Sequence, residues 1–394
     1  MRTDFKTAAF WALAALLAAI PFSNALFEIA SCAFIGFFLL SLFQKKDFIF
    51  FRQTFFTLIL IYFLMNLLSF ARTEYPDASV RGLLKVLKNI LLCAGAAYVI
   101  DSEKRFRAVF WTILIAAVFA GLDAWIQGMR GVDLLGRHPT AFYGTVGRLT
   151  GPFRHANDFA AYLSVVFFLF LAAVTDGFAV FSRRKYLFCL AGSILTAGCL
   201  VVTYSRGAWI AVAVVFLISA CVKRNRITAA FLAAGVVFVL FFSPPLVKQR
   251  LGRLFEPGRD TLVERKALWG ESIQMIRTSP LIGLGVNTYA RNEMKFKTSH
   301  TDFQYAHNGY LQMAAEIGLF GLFSFLAVVV YFLTKCPRAA ARSPGPYVQM
   351  AGPGLAFAVA AFLLGSAADT SLHSLRLVNF FWILMGIGWS AKNV

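Results

Sequence analysis

The sequence predicts an all-α, polytopic membrane protein of about twelve transmembrane helices, with one long extracytoplasmic loop between the ninth and tenth helices. Hydrophobic residues make up 59% of its 394 residues, whereas charged residues make up only 14%. The mean hydropathy is +0.69. Apolar runs of helical length also recur from one end of the chain to the other. A soluble core cannot bury this much apolar surface, so we expect the bilayer to surround most of the chain.

The apolar runs give the predicted spans in chain order. They are 8–22, 25–43, 54–70, 82–100, 106–128, 156–175, 186–204, 207–221, 227–243, 306–334, 347–366 and 374–391. The first run also resembles a signal peptide, but with so many spans behind it we expect an uncleaved helix. The seventh and eighth are separated only by Tyr204-Ser205-Arg206-Gly207. One helix through both would be longer than a bilayer is thick, so the chain must turn there.

Positive charge in alternate loops predicts the orientation. Every second loop carries a basic triplet, and such loops face the cytoplasm. The triplets are Lys45, Lys46 and Arg52; Lys104, Arg105 and Arg107; Arg183, Arg184 and Lys185; Lys223, Arg224 and Arg226; and Lys335, Arg338 and Arg342. Both termini are therefore predicted to be cytoplasmic, and the external segments are 71–81, 129–155, 204–206, 244–305 and 369–373. The chain divides into helices 1–9 (1–243), the external loop (244–305) and helices 10–12 (306–394).

Several classes of site are not expected. The six cysteines lack CxxC or paired loop spacing, which argues against a disulfide framework and a thiolate metal site. The sequence has no Walker A loop, no Gly-x-Ser-x-Gly and no HExxH. We therefore expect no cofactor and no metal.

The net charge of +19 exceeds what the cytoplasmic loops explain. Much of the excess lies in the external loop, at Lys248, Arg250, Arg253, Arg259, Arg265, Lys266, Arg277, Arg291, Lys295 and Lys297. A cationic surface beside lipid indicates binding of lipid phosphates rather than nucleic acid. The alternative is a solvated surface, because long loops cross the membrane whatever their charge.

Within the loop, 261–277 is predicted to form an amphipathic helix. Its broad apolar face contains Leu262, Leu268, Trp269, Ile273, Met275 and Ile276, with Glu264, Glu271 and Gln274 opposite. Arg265 falls among the apolar residues, where a guanidinium is costly to desolvate without a carboxylate or phosphate partner. Snorkelling to the interface is the alternative.

Further cationic residues lie at the external ends of other spans. Arg206, in the turn before the eighth span, suits a lipid diphosphate, although it could merely cap carbonyls. Arg148, Arg154 and Asn157 surround the start of the sixth span, where helix N–H groups favour an anion, or else they anchor the helix at the interface. His307 and Asn308 open the tenth span directly after the cationic loop, where His307 is either structural or a proton acceptor.

Arg81, Lys85 and Lys88 repeat at spacings of four and three residues, so they form one cationic stripe on the fourth span. Ionisable side chains at that depth face protein or water rather than lipid. We therefore expect a second phosphate site there.

Three segments and their order resemble the O-antigen ligase family. They are Ser205-Arg206-Gly207-Ala208-Trp209; the Glu264-Arg265 helix followed by Pro280-Leu281-Ile282-Gly283-Leu284-Gly285; and His307-Asn308-Gly309-Tyr310-Leu311-Gln312. Together with residues 148–163 they extend the resemblance over about 145–325. Each motif is weak alone, but their order, side and spacing are specific to the superfamily of O-antigen ligases and polymerases.

The resemblance implies a metal-independent, inverting transfer of a glycan from undecaprenyl diphosphate to the lipid A–core of lipopolysaccharide. It places the active site on the periplasmic face of the bacterial inner membrane and identifies His307 as the base. Arg206 and Arg265 suit stabilisation of the departing diphosphate. Both substrates and the surrounding membrane lipids are the expected partners, and a monomer is expected.

Three alternatives stay open. An O-antigen polymerase would use the same donor with a second lipid-linked glycan as acceptor. A protein O-oligosaccharyltransferase of the same superfamily would glycosylate Ser or Thr. A transporter for lipid-linked sugars belongs to another class; such proteins have internal repeats and midplane binding sites, whereas the cationic residues here cluster at the membrane surface.

Overall fold

The computed structural model describes residues 4–139, 142–143, 146–223, 228–230, 233, 248, 252, 260–298 and 305–394. The helices bounded within these residues are α1 (Phe5–Ala19), α2 (Asn24–Lys45), α3 (Thr54–Ser69), α4 (Pro76–Val99), α5 (Glu103–Arg130), α6 (Ala156–Asp176), α7 (Arg183–Val202), α8 (Arg206–Lys223), α9 (Asp260–Thr278), α10 (Tyr289–Phe296), α11 (Gly309–Arg342), α12 (Pro346–Ser366) and α13 (Leu375–Ser390). A small antiparallel hairpin joins β1 (Phe142–Tyr143) to β2 (Val146–Gly147) between α5 and α6.

The all-α membrane fold is confirmed in the part of the chain that the structure describes. Nine helices there are long and apolar enough to cross a membrane, and α1 and α13 are shorter apolar helices. Together they correspond to the predicted spans apart from 227–243, of which the structure describes only 228–230 and 233. The fourth helix begins at Pro76, earlier than the predicted residue 82, because proline suits the first turn of a helix.

The most buried helices lie at the centre of the bundle. Both α6 and α13 are buried along almost their entire length. By contrast, only about a third of the residues in the apolar stretches of α2, α3 and α7 are buried. Their outer faces carry exposed apolar residues such as Ile29 (67% exposed), Leu60 (55%) and Ile194 (62%). This pattern places α6 and α13 among protein and the outer faces of α2, α3 and α7 against lipid.

One end of the bundle, here called the far end, gathers the terminal segments and the loops predicted to be cytoplasmic. The Nζ atom of Lys6 lies 2.8 Å from a carboxylate oxygen of Asp101. The N–H of Tyr347 donates to Glu103 Oε1 at 2.9 Å. Near the last residue, Asn393 Nδ2 donates to the carbonyl of Ala97 at 3.3 Å.

The opposite end, here called the site end, gathers the segments predicted to be external. Arg291 of α10 forms a bidentate pair with Asp77 at the start of α4, at 2.7 and 2.8 Å. The N–H of Val286 donates to Ser69 Oγ at the end of α3, at 3.1 Å. The external loop is therefore tied directly to the ends of two membrane helices.

Helix α11 is interrupted near its start by Gly318, whose backbone is not helical (φ 70°, ψ −180°). The loop that follows α9 supplies hydrogen bonds to the interrupted backbone. These run from Leu284 N to Ala315 O (3.0 Å), Gly285 N to Glu316 O (2.9 Å), Leu319 N to Pro280 O (2.8 Å) and Phe320 N to Leu281 O (3.2 Å). Irregular backbone at membrane depth is tolerated where protein satisfies it in this way.

Two glycines permit this close approach. A Cβ on Gly283 would lie 2.3 Å from the carbonyl oxygen of Glu316, and one on Gly318 would lie 2.2 Å from that of Leu281. Both glycines also have positive φ, at 74° and 70°. The Glu316 carboxylate completes the junction by accepting hydrogen bonds from the N–H groups of Asn287 (3.0 Å) and Tyr289 (3.1 Å).

Helix α9 occupies the segment 261–277 that was predicted to form an amphipathic helix, but two residues lie on the opposite face from that predicted. Glu271 is buried and accepts hydrogen bonds from Thr298 N and Oγ1, at 2.7 and 3.0 Å. Ile273 is 42% exposed. The buried stripe runs through Leu268, Glu271, Ser272 and Met275 at helical spacing, so hydrogen bonding rather than hydrophobicity decides the position of Glu271.

Candidate functional site

The turn before α8 brings Arg206 to the site end. Tyr204 has a left-handed backbone (φ 53°), and α8 begins two residues later at Arg206. A Cβ on Gly207 would lie 2.9 Å from Cβ of Ala368. A glycine at 207 therefore lets the start of α8 pack closely against the loop between α12 and α13, which carries Asp369.

Arg265 of α9 interacts electrostatically with both Asp369 and Arg206. Burial lowers the pKa of the Arg265 guanidinium, Asp369 opposes this shift, and Arg206 adds to it. A guanidinium nevertheless stays protonated in proteins. The two arginines, distant in sequence, thus form a half-buried cationic pair that an additional anion would stabilise.

His307 lies beside Asp369 at the start of α11. Its Nδ1 is 3.5 Å from Asp369 Oδ1, and the N–H of Gly309 donates to the backbone carbonyl of Asp369 at 3.2 Å. His307 has a left-handed backbone (φ 48°), which turns the chain into the helix. Asn308 caps that helix by accepting from the N–H groups of Tyr310 (3.0 Å) and Leu311 (3.1 Å). The binding role predicted for Asn308 stays a prediction beside this capping role.

The pKa of the Asp369 carboxyl lies below its ordinary value. Burial alone would raise this pKa, but the interactions with His307, the N–H of Thr370 and the charge of Arg265 favour the carboxylate and outweigh burial. An ionised carboxylate beside Nδ1 fixes the imidazole with its proton on that nitrogen. Nε2 then carries the lone pair that can accept a proton.

Asp369 is the functional candidate that sequence reasoning missed. Its segment was recognised only as a short external loop. One signal was available, because Asp369 is the only acidic residue after Glu316 in the whole sequence. A lone carboxylate between two apolar spans is costly unless it has a partner.

Arg148 and Asn157 lie together beside the Arg206 turn. Arg148 Nε donates to the carbonyl of Thr203 at 2.8 Å, and its NH2 group donates to Asn157 Oδ1 at 2.7 Å. Arg148 therefore links the segment before α6 to the end of α7, and it positions the turn that carries Arg206. Arg154 is exposed at the start of α6. Direct contact of these three residues with substrate stays a prediction.

Each cation of the α4 stripe, which consists of Arg81, Lys85 and Lys88, contacts a neighbouring side chain. Arg81 pairs with Asp77 at 2.7 Å, and Lys88 pairs with both oxygens of Glu28 at 2.8 Å. Lys85 donates to Asn287 Oδ1 at 3.0 Å. Each of the three therefore has a polar partner within the protein, whereas their exposure to water rather than lipid and a phosphate ligand for them stay predictions.

The same stripe borders a cavity of about 340 Å³. Its wall includes Gln312 of α11, His373 of the loop after α12 and Asn379 of α13, and it reaches the aromatic side chains of Tyr62 and Trp382. Gln312 follows His307 by little more than one helical turn, and His373 follows Asp369 by four residues. Sequence neighbours of His307 and Asp369 thus line the cavity. Arg206, Arg265, His307 and Asp369 are here called the arginine–histidine cluster, and none of these four residues lines the cavity itself.

Within the described ranges, no group of three or more His, Cys, Asp or Glu side chains is placed to hold a metal ion. The polar atoms of the arginine–histidine cluster are two guanidinium groups, one imidazole and one carboxylate. This set suits an anion and a transferable proton.

Comparison with known proteins bears on the same region. Residues 191–326 match the profile of a family described as O-Antigen ligase. The chain is also 24% identical over 263 residues to the teichuronic acid biosynthesis protein TuaE of Bacillus subtilis (strain 168), covering 62% of this chain and 52% of that protein. This chain thus spans about half the length of that curated relative.

A solved structure is similar in shape. It is titled "Structural coordination of polymerization and crosslinking by a peptidoglycan synthase complex", and it matches with a TM-score of 0.48 and 15% identity, over 86% of this chain and 96% of that one.

Proposed function

We propose that this chain is a membrane glycosyltransferase that transfers a glycan from undecaprenyl diphosphate to the lipid A–core of lipopolysaccharide. The match of residues 191–326 to a family described as O-Antigen ligase supports this proposal. The transfer inverts the anomeric centre and needs no metal ion. The active site is the arginine–histidine cluster, facing the periplasm from the bacterial inner membrane, and the protein acts as a monomer.

One observation carries the proposal. Arg206, Arg265 and His307 come from three separate segments, and all three interact with one another or with Asp369 at the same end of the bundle. A diphosphate leaving group needs positive charge, and an attacking hydroxyl needs a base. The cluster offers both within one site.

In this mechanism the acceptor hydroxyl attacks the anomeric carbon of the donor sugar. The new bond forms between the acceptor oxygen and that carbon, while the bond from carbon to diphosphate oxygen breaks. Nε2 of His307 takes the hydroxyl proton, and Asp369 stabilises the resulting imidazolium through Nδ1. Arg206 and Arg265 stabilise the charge that develops on the departing undecaprenyl diphosphate. A single displacement from the opposite face inverts the anomeric configuration.

The similarity to a teichuronic acid biosynthesis protein is consistent with a different acceptor. In that case the same donor chemistry would extend a second lipid-linked glycan, as in an O-antigen polymerase. The base and the arginines would keep their roles.

A reconstituted reaction tests the proposal and separates these two acceptors. Purified full-length protein in liposomes is offered undecaprenyl-diphosphate-linked glycan and lipid A–core together, with EDTA and without ATP. We expect glycosylated lipid A–core as the product. Extension of the lipid-linked glycan alone would favour the polymerase, and full inhibition by EDTA would contradict metal-independent transfer.

Two variants test the assigned roles. His307→Ala removes the base, and Arg265→Ala removes charge stabilisation, so each should lower turnover by about 100-fold or more. Lys266→Ala is the matched control, because Lys266 is an exposed cation on the same helix. Near-normal turnover of folded His307→Ala would exclude His307 as the base.

A further inference from the structure

The rim of the cavity carries three accessible cations, Arg81, Lys85 and Arg291. Among the described residues, one carboxylate pairs with this group, that of Asp77. A guanidinium nitrogen of Arg81 lies 2.7 Å from Asp77 Oδ2, and Arg291 contacts both oxygens of the same carboxylate at 2.7 and 2.8 Å. Two guanidinium groups on one carboxylate leave one positive charge uncompensated, so the pair keeps an attraction for a further anion.

Lys85 is held at this rim by a neutral partner. Its Nζ donates to Asn287 Oδ1 at 3.0 Å, and Asn287 Nδ2 donates to the carbonyl of Ala78 at 3.0 Å, which fixes the orientation of the amide. The amide uses one of the three N–H donors of the ammonium group. Glu316 interacts electrostatically with Lys85, but its carboxylate accepts hydrogen bonds from backbone N–H groups. The charge of Lys85 is therefore available to a ligand.

Exposure distinguishes these three cations from Lys88, the remaining residue of the α4 stripe. Both oxygens of Glu28 lie 2.8 Å from Lys88 Nζ, and the Lys88 side chain is only 18% exposed. The side chains of Arg81 and Arg291 are 59% and 43% exposed, and Lys85 is exposed as well. A ligand can reach Arg81, Lys85 and Arg291 from outside the fold, whereas Lys88 serves the contact between α2 and α4.

The rim determines the charge of its ligand. A metal cation would be repelled by the positive charge of Lys85 and of the two arginines. The deeper wall offers little surface for contact, because Tyr62 and Trp382 are only 7% and 2% exposed. Recognition therefore depends on the rim, where ammonium and guanidinium groups match a phosphate or a carboxylate.

The rim is distinct from the place assigned to the donor diphosphate. None of the residues of the arginine–histidine cluster lines the cavity, but Leu372 does. A Cβ on Gly309 would lie 3.1 Å from the Leu372 side chain, so Leu372 contacts both the cavity and the start of α11, just after His307. An anionic group at the rim would thus belong to the other substrate, the one whose hydroxyl reaches His307.

We propose that Lys85, Arg81 and Arg291 bind an anionic group, a phosphate or a carboxylate, on the saccharide of the acceptor. This inference rests on the proposed function and adds the chemistry by which the acceptor is recognised. Negative charge on the acceptor saccharide becomes a requirement for tight binding. Binding of the donor diphosphate by Arg206 and Arg265 does not depend on the rim.

Binding measured without turnover tests the inference. Detergent-purified full-length protein is titrated with lipid A–core in the absence of donor, and Kd is measured by microscale thermophoresis. We expect Lys85→Gln to raise this Kd by about 5- to 10-fold, since it removes one charge-assisted hydrogen bond. Arg81→Gln should change Kd in the same direction, and it decides the matter if Lys85→Gln fails to fold. Binding of undecaprenyl diphosphate should not change in either variant.

Lys335→Gln is the matched control. Lys335 is an exposed lysine on a membrane helix, α11, and it lies near Lys392 at the far end. Its substitution removes the same charge from the protein, and Kd for lipid A–core should stay at the wild-type value. A rise equal to that of Lys85→Gln would show that net charge rather than the rim controls binding, and would overturn the inference.

Two modified acceptors identify the anionic group. If the rim binds a phosphate, Lys85→Gln should have no effect on the Kd of dephosphorylated lipid A–core. If it binds a carboxylate, the effect should instead disappear with carboxyl-reduced lipid A–core. An effect that persists with an acceptor lacking both groups would overturn the inference, as would an unchanged Kd in folded variants or weaker binding of undecaprenyl diphosphate.

Failure of this inference and failure of the proposed function are distinguishable. Absence of a glycosylated lipid A–core product with wild-type protein counts against the proposed function, whereas the binding measurement needs no turnover. Wild-type protein that does not bind lipid A–core contradicts the acceptor site at the rim directly.

Discussion

At the scale of single residues, the site depends on pairs that the chain brings together over long distances. The motifs in the sequence indicated Arg206, Arg265 and His307, because each stands out against apolar surroundings. Sequence reasoning could not supply Asp369, whose importance depends on its contact with His307. Periodicity describes the face of one helix, but it does not show which loops meet across a bundle.

The role of Asp369 gives a prediction at this scale. Asp369→Asn keeps the size of the side chain but removes the charge that orients His307 and stabilises its protonated form. We expect turnover to fall by about 100-fold or more, with little change in the KM for the donor. The measurement is steady-state transfer with both substrates varied.

The acidic side of the pH profile provides a second readout. The pKa of Asp369 is below its ordinary value, so the carboxylate stays ionised above about pH 5 and loses its charge only as pH falls through that pKa. Wild-type turnover should therefore show no step from this group between about pH 5 and pH 8. A variant with wild-type turnover would show that Asp369 does not orient the base.

At the scale of elements, hydropathy predicted the membrane helices well and their irregularities poorly. Length and apolar content are properties of each segment alone, so the spans were visible in the sequence. The interruption of α11 at Gly318 could not be predicted from the sequence, because it depends on hydrogen bonds with the 280–285 loop. Likewise Glu271 is buried because Thr298 supplies its donors, which no helical wheel can show.

The glycines of this junction give a prediction at the element scale. Gly283→Ala and Gly318→Ala each place a Cβ within 2.3 Å of a backbone atom and force a side chain into positive φ. We expect each to destabilise the fold by more than about 2 kcal/mol, measured as a lower thermal unfolding temperature in detergent.

Gly36 provides the matched control for these substitutions. It lies within the membrane helix α2, and a Cβ there would meet nothing within 4 Å. Gly36→Ala should leave stability unchanged or raise it by up to about 1 kcal/mol. Equal unfolding temperatures for all three variants would show that the junction tolerates side chains at both positions.

At the scale of the whole molecule, the alternation of basic loops predicted which segments share an end. The structure brings 69–81, 203–207, 286–291, 307–309 and 368–373 together, and it separates them from the segments around Lys6, Glu103 and Tyr347. The sequence predicted which segments lie at each end because every membrane span takes the chain to the opposite side of the bilayer. The packing order of the helices needed side-chain fit and was not predicted.

Orientation in the membrane is the prediction at this scale. A green fluorescent protein fused after Val394 should fluoresce, and an alkaline phosphatase fused there should be inactive, since the C-terminus is predicted to be cytoplasmic. Phosphatase inserted after Lys297 should be active. The reverse pattern would place the arginine–histidine cluster on the cytoplasmic side and contradict a periplasmic active site.

The junction between the 280–285 loop and α11 also imposes an order on biogenesis. The loop is synthesised before α11, yet the N–H groups of Leu284 and Gly285 find their acceptors only on Ala315 and Glu316. Helix α9, which carries Arg265, therefore cannot take its final position until the first third of α11 has entered the membrane and broken at Gly318. Insertion of that helix must therefore precede assembly of the arginine–histidine cluster, whose Asp369 is synthesised later still, so a nascent chain without α11 has Arg206 and Arg265 but no assembled cluster.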